Sequence, residues 1–134
     1  MSQNTNLEEV RELYNRYAIS WDENRSEELA ACFTADGVFE SGHGQFAGRD
    51  AILENMASLN RAMGRRKQRH VITNLSVHLE KDRGTGTAYF IDCVALDGKI
   101  LVIAFGTYRD ELRKADGRWC FSSRKSSVEG ELAE

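Results

Sequence analysis

With 134 residues, 41% of them hydrophobic and 29% charged, the chain is long enough for one domain with a real core and too apolar for disorder. Its formal net charge of −3 argues against nucleic-acid binding, which feeds on positive charge. The longest apolar run, Ile100 to Phe105, has strand length and falls far short of the roughly 20 residues of a membrane helix. The polar stretch from Met1 to Asn6 has no apolar leader, so a cytoplasmic protein is expected.

In chain order, Asn6 and Glu9 resemble a capping box that opens a helix at Leu7. Val10, Leu13, Tyr14, Tyr17 and Trp21 then recur at helical spacing as one apolar stripe. Ser26 caps a short second helix that carries Leu29, Cys32 and Phe33 inward. Asp36-Gly37 and Gly42-His43-Gly44 are turns that frame a short strand, Val38 to Glu40, with a returning strand at Gln45 to Ala47. A third helix follows Gly48, with the stripe Ile52, Leu53, Met56, Leu59 and Met63, and ends at Gly64.

From Arg69 the period changes from 3.6 to 2. Val71, Thr73, Leu75, Val77 and Leu79 read as one face of a strand. Further strands are expected over Thr85 to Ala95, Lys99 to Leu112 and Arg118 to Val128, joined by tight turns at Asp97-Gly98 and Asp116-Gly117. The strand from Lys99 is apolar on both faces and should be interior. Residues 1–6 and 129–134 read as flexible tails of a single domain spanning 1–134.

Helices first and consecutive hairpins afterwards give an α+β fold, not an alternating one. About three N-terminal helices should pack on a curved, mainly antiparallel sheet and enclose a pocket. Cys32, Cys93 and Cys120 are widely spaced without a CxxC, so three buried thiols are expected, with no disulfide framework and no metal site.

Several segments carry a resemblance in their order and spacing. They are Leu13 to Tyr17 with Trp21-Asp22, Phe33 to Phe39, Phe46 to Ile52, Arg69 to Leu75, Gly106 to Asp110 and Asp116 to Trp119. Together they resemble the SnoaL-like group of the NTF2-like superfamily, a cone-shaped fold, from about Leu7 to Val128. Within it the chain looks most like the branch of scytalone dehydratase and hexachlorocyclohexane dehydrochlorinase. That resemblance implies a catalytic pair, with Asp22 at the end of the first helix orienting His70 of His-x-x-Thr-Asn-Leu, and it implies an assisting Arg124. The match to the dehydrochlorinase is incomplete, because Tyr17 stands where that enzyme carries a lysine.

A histidine titrates near neutrality, and a carboxylate on one ring nitrogen fixes its tautomer and stabilises the imidazolium. Such a pair needs no metal and no organic cofactor to take a proton from carbon, and elimination, isomerisation or cyclisation can follow. Strict alternation, however, puts His70 on the face opposite Val71, Leu75 and Leu79. A β-bulge near Ile72 to Asn74 is therefore required to turn His70 inward.

Each residue also has a plainer reading. Asp22 can simply end a helix, and His70 can close the basic run of Arg65, Arg66, Lys67 and Arg69 on the surface. That run is otherwise a solvated loop or an attractor of acidic substrates. Tyr14 and Tyr17 are core aromatics or pocket-rim hydroxyls. Phe39, Phe46, Met56, Tyr89, Phe90 and Phe105 are pocket walls or plain core, with Trp21 beside them. His43 belongs to a surface turn and His78 to an exposed strand position. Asp92, on an apolar strand, faces the pocket or pairs with an arginine of a neighbouring strand.

Two functions compete. One is a cofactor-independent lyase (dehydratase or dehydrohalogenase) or an isomerase or polyketide-type cyclase, acting on a hydrophobic small molecule. The other is a non-catalytic ligand-binding or assembly subunit resembling the β subunit of ring-hydroxylating dioxygenases. Under either, a homodimer or homotrimer is expected, because the outer face of the last strands needs cover; no membrane or nucleic-acid partner is expected.

Overall fold

The computed structural model describes residues 2–64 and 66–132. Helix α1 (Gln3–Asp22) opens on Ser2, whose hydroxyl accepts from the Thr5 backbone N–H. It thus starts earlier than the Asn6–Glu9 pattern predicts, and Gln3 to Asn6 are helical. Asn6 is occupied elsewhere, accepting from Trp119 Nε1 at 3.1 Å. A short α2 (Ser26–Ala30) and α3 (Arg49–Met63) follow, separated by β1 (Phe33–Ser41) and β2 (Gly44–Ala47). The chain then makes four long strands: β3 (Gln68–Glu80), β4 (Arg83–Leu96), β5 (Lys99–Ala115) and β6 (Arg118–Glu131). Glu129 to Glu131 thus belong to a strand and not to a tail; residues 133–134 lie outside the described residues, as does Arg65.

The strands form one curved six-stranded sheet in the order β2-β1-β6-β5-β4-β3. Only β1 and β6 run parallel; the other neighbouring pairs are antiparallel. As expected, β5 is interior. The apolar stripe of α1 (Val10, Leu13, Tyr14 and Tyr17) is buried against the inner face, where it meets Phe33, Phe90, Tyr108 and Phe121. Ile52 and Met56 of α3 close the same core.

One irregularity places the site. The β3–β4 register shifts between Thr73 and Ser76, and Asn74 sits at φ 54°. Asparagine is among the few residues that tolerate this left-handed conformation. His70 and Ile72 lie inward before the bulge, and Leu75, Val77 and Leu79 after it. The expectation that Val71 shares a face with Leu75 is therefore corrected: Val71 is 46% exposed on the outside.

Candidate functional site

Asp22 is the last residue of α1. A carboxylate there meets the negative end of the helix dipole, an unfavourable place unless something else holds it. What holds it is β3. Asp22 Oδ1 lies 2.7 Å from His70 Nδ1, and both Asp22 oxygens accept from the His70 backbone N–H at 3.0 Å. The two side chains are only 7% and 5% exposed. Trp21 stacks on the imidazole, with ring centroids 5.6 Å apart and planes 20° from parallel. With Nδ1 engaged by Asp22, the other ring nitrogen, Nε2, is left to face the interior.

Nε2 points toward Asp92, whose Oδ2 is 3.7 Å away. Asp92 is the register partner of His70 on β4. Gln68 Nε2 donates to both Asp92 oxygens, at 2.7 and 2.9 Å. Burial pushes the Asp92 carboxyl above the usual carboxylate range, opposed by His70 and by the Gln68 hydrogen bond. Asp92 therefore lies on the inner face beside His70, and its partners are His70 and Gln68; the expected pairing with a neighbouring strand's arginine is corrected.

A second polar cluster lies deeper. Arg124 on β6 and its register partner Asp110 on β5 form a two-pronged ion pair (Nε to Oδ1 2.7 Å, Nη2 to Oδ2 2.8 Å), with both side chains fully buried. Tyr14 donates its hydroxyl to Asp110 Oδ2. Gly86, opposite Asp110 on β4, makes room for that hydroxyl, since a Cβ there would collide with it. The guanidinium carbon lies 3.8 Å from the Tyr108 ring centroid, 4.0 Å from Phe121 and 4.2 Å from Tyr17. Burial works most strongly against the charge of Arg124, but Asp110, by charge and hydrogen bond, together with Tyr17 and Tyr108, raises the guanidinium pKa on balance. Burial pushes the Tyr17 hydroxyl up to about 12. Arg124 Nη1 has no partner among the described residues.

The residues singled out in the sequence divide accordingly. Asp22, His70 and Trp21 come together. Tyr14, Tyr17, Phe39, Met56 and Arg124 are buried in the interior behind them. Tyr89 and Phe105 do not belong with them. They are 54% and 52% exposed on the outer face, where with Ile91 and Val102 they line a groove of about 420 Å³. Their alternation with inward Phe90 and Gly106 puts them there. Phe46 packs on the core edge, and His43 and His78 are exposed. Cys32 and Cys120 are buried and Cys93 half-buried, all three as free thiols. Asp110 and Gln68 went unread in the sequence. The inward pattern Tyr108-Asp110-Leu112 was the available signal for Asp110; nothing local marks Gln68. Among the described residues no His, Cys, Asp or Glu cluster is arranged to hold a metal ion.

A family model described as a SnoaL-like domain matches residues 4–125. No curated protein matches the chain significantly. Among solved structures, a protein of unknown function from Mycobacterium tuberculosis, in a form with asparagine replacing one aspartate, is 27% identical. It superposes with a TM-score of 0.88 over 97% of this chain and 75% of that one. A protein from Catenulispora acidiphila in complex with S-DNPA is 28% identical, with a TM-score of 0.83 over 94% of this chain and 95% of that one. The β subunit of a putative aromatic-ring-hydroxylating dioxygenase from Novosphingobium aromaticivorans shares the fold, with a TM-score of 0.81 at 14% identity over 98% and 94% of the two chains. Among the described residues no helix is long and apolar enough to cross a membrane.

Proposed function

Because the chain belongs to the SnoaL-like domain family, we propose that it is a cofactor-independent enzyme in which His70, held by Asp22, takes a proton from carbon in a hydrophobic, partly oxygenated molecule. The observation that carries this reading is the double hold of Asp22 on His70, at ring and backbone. A buried carboxylate spent on orienting one imidazole is the arrangement a general base needs. It fixes Nδ1–H toward Asp22 and leaves the Nε2 lone pair for the substrate proton. Loss of a β-leaving group then gives a lyase, reprotonation elsewhere an isomerase, and attack of the carbanion on a carbonyl a cyclase. Arg124 Nη1 is the buried donor left over for a substrate oxygen. Trp21 supplies an aromatic surface beside the base, and Tyr14, Tyr17, Phe39 and Met56 the interior walls. The likeness to a structure in complex with S-DNPA supports a ligand-binding interior in this chain.

A second reading, a binding or assembly subunit, draws on a specific observation. The interior behind His70 is packed, with Phe90 stacked on Tyr108 at 4.6 Å and Arg124 wedged between Tyr17 and Tyr108. Screening aromatic β-hydroxyketones and 1,3-diketones for dehydration or ring closure separates the two readings. Turnover by the wild type and none by His70→Ala supports the enzyme; no turnover by either supports the subunit. We further propose that a second copy of the chain covers the outer face bearing Val71, Tyr89, Val102 and Phe105, each about half exposed.

A further inference from the structure

Asp92 lies directly across the strand pair from His70, and its carboxylate is held in place by Gln68. The imidazole thus stands between two carboxylates, one engaging Nδ1 at 2.7 Å and the other 3.7 Å from Nε2. The contact with Asp22 is a hydrogen bond, and the one with Asp92 is too long to be one. An ionised Asp92 and an unprotonated Nε2 would point lone pairs at each other in a nearly dry site, an arrangement that takes up a proton. The ionisable groups around Asp92 are His70 on β3, Asp22 on α1 and Tyr108 on β5, with neutral Gln68 alongside. Among them only His70 becomes positive, so the proton goes to His70 or to Asp92.

We propose that Asp92 is the acid partner of His70, the two holding one proton between them. This rests on the reading of His70 as a base and assigns the group that completes it. In the reacting form the proton is on the Asp92 carboxyl and Nε2 is free. His70 takes the proton from carbon as that C–H bond breaks. Asp92 gives its proton to the substrate oxygen, either a carbonyl becoming an enol or a hydroxyl leaving as water. The products are an imidazolium and a carboxylate 3.7 Å apart. Passage of the proton from Nε2 to Asp92 restores the starting state, so a cycle consumes no net proton. The burial that raises the Asp92 pKa favours the acid form this role requires.

The test is a paired NMR titration of the His70 ring nitrogens and the Asp92 carboxyl carbon in wild type, Asp92→Asn and Asp92→Glu. Two groups this close titrate as a pair with shared steps. The proposal expects both signals to move together in the wild type. It expects the His70 signal in Asp92→Asn to follow a single step in place of the shared ones, and expects Asp92→Glu to restore the shared steps. Independent titrations in the wild type, or shared steps that persist for His70 in Asp92→Asn, overturn it. The wild-type measurement decides even if a variant fails to fold. Because no substrate is involved, coupled titration without turnover of any ketone would refute the enzyme reading and leave the proton pair standing, whereas turnover with uncoupled titration would do the reverse.

Discussion

Asp22 grips His70 at two points, the ring Nδ1 at 2.7 Å and the backbone N–H at 3.0 Å, and so ties the end of α1 to the start of β3. Replacing the carboxylate with an amide removes the charge but keeps the shape. In Asp22→Asn the ring loses its fixed tautomer, and turnover by His70 should fall by about 10²–10⁴-fold. Nitrogen NMR of the imidazole checks the cause: in its neutral form the wild-type ring should carry the proton on Nδ1, and the variant should show a mixture of tautomers. An unchanged tautomer in the variant would mean Asp22 does not set it.

Arg124 and Asp110 should matter to stability far more than any exposed pair. Both are fully buried, and removing one leaves the other charged and unpaired. Asp110→Ala should cost about 3–5 kcal/mol in urea unfolding, and Tyr14→Phe, which removes one hydrogen bond to a charged group, about 1.5–3 kcal/mol. A loss below 1 kcal/mol for Asp110→Ala would contradict the burial of the pair.

Asp92 should act on stability in the opposite direction. Its carboxyl pKa is raised by folding, so between the ordinary carboxylate value and the raised one the folded protein binds more protons than the unfolded chain. Its contribution to stability is therefore lost as pH rises through that window. Asp92→Asn should raise Tm at pH 7, with the gain shrinking as pH is lowered through the carboxylate range. A gain that grows toward acid would reverse the sign of the shift.

The outer face offers an independent check on assembly. Phe105 and Val102 are half exposed there beside Tyr89. Phe105→Glu should convert an oligomer into monomer in light scattering without changing the circular dichroism spectrum, since the side chain is not part of the core. A monomeric wild type at high concentration would contradict the proposed second copy.

The order of helices and strands was legible because each element carries its own period, as in the α1 stripe from Val10 to Tyr17 and the turns at Asp97-Gly98 and Asp116-Gly117. The need for a bulge before Leu75 was legible too, because alternation alone sent His70 to the wrong face, and Asn74 is where the structure relieves it. What could not be read was the register in which neighbouring strands pair. Asp92 faces His70 because of the β3–β4 register, and Asp110 faces Arg124 because of the β5–β6 register. Neither follows from a local pattern. Tyr89 and Phe105 show the same limit. Large aromatics look like pocket walls until the register of two strands sends them outward.

The measurement that tests the central claim most directly is deuterium uptake at the acidic C–H of 2-tetralone in D2O, followed by proton NMR with wild type, His70→Ala and no protein. The ketone is hydrophobic and aromatic, and it asks only that a base remove a proton from carbon. The account predicts exchange with the wild type well above the uncatalysed rate, abolished in a folded His70→Ala. Wild-type exchange no faster than that of His70→Ala would contradict it.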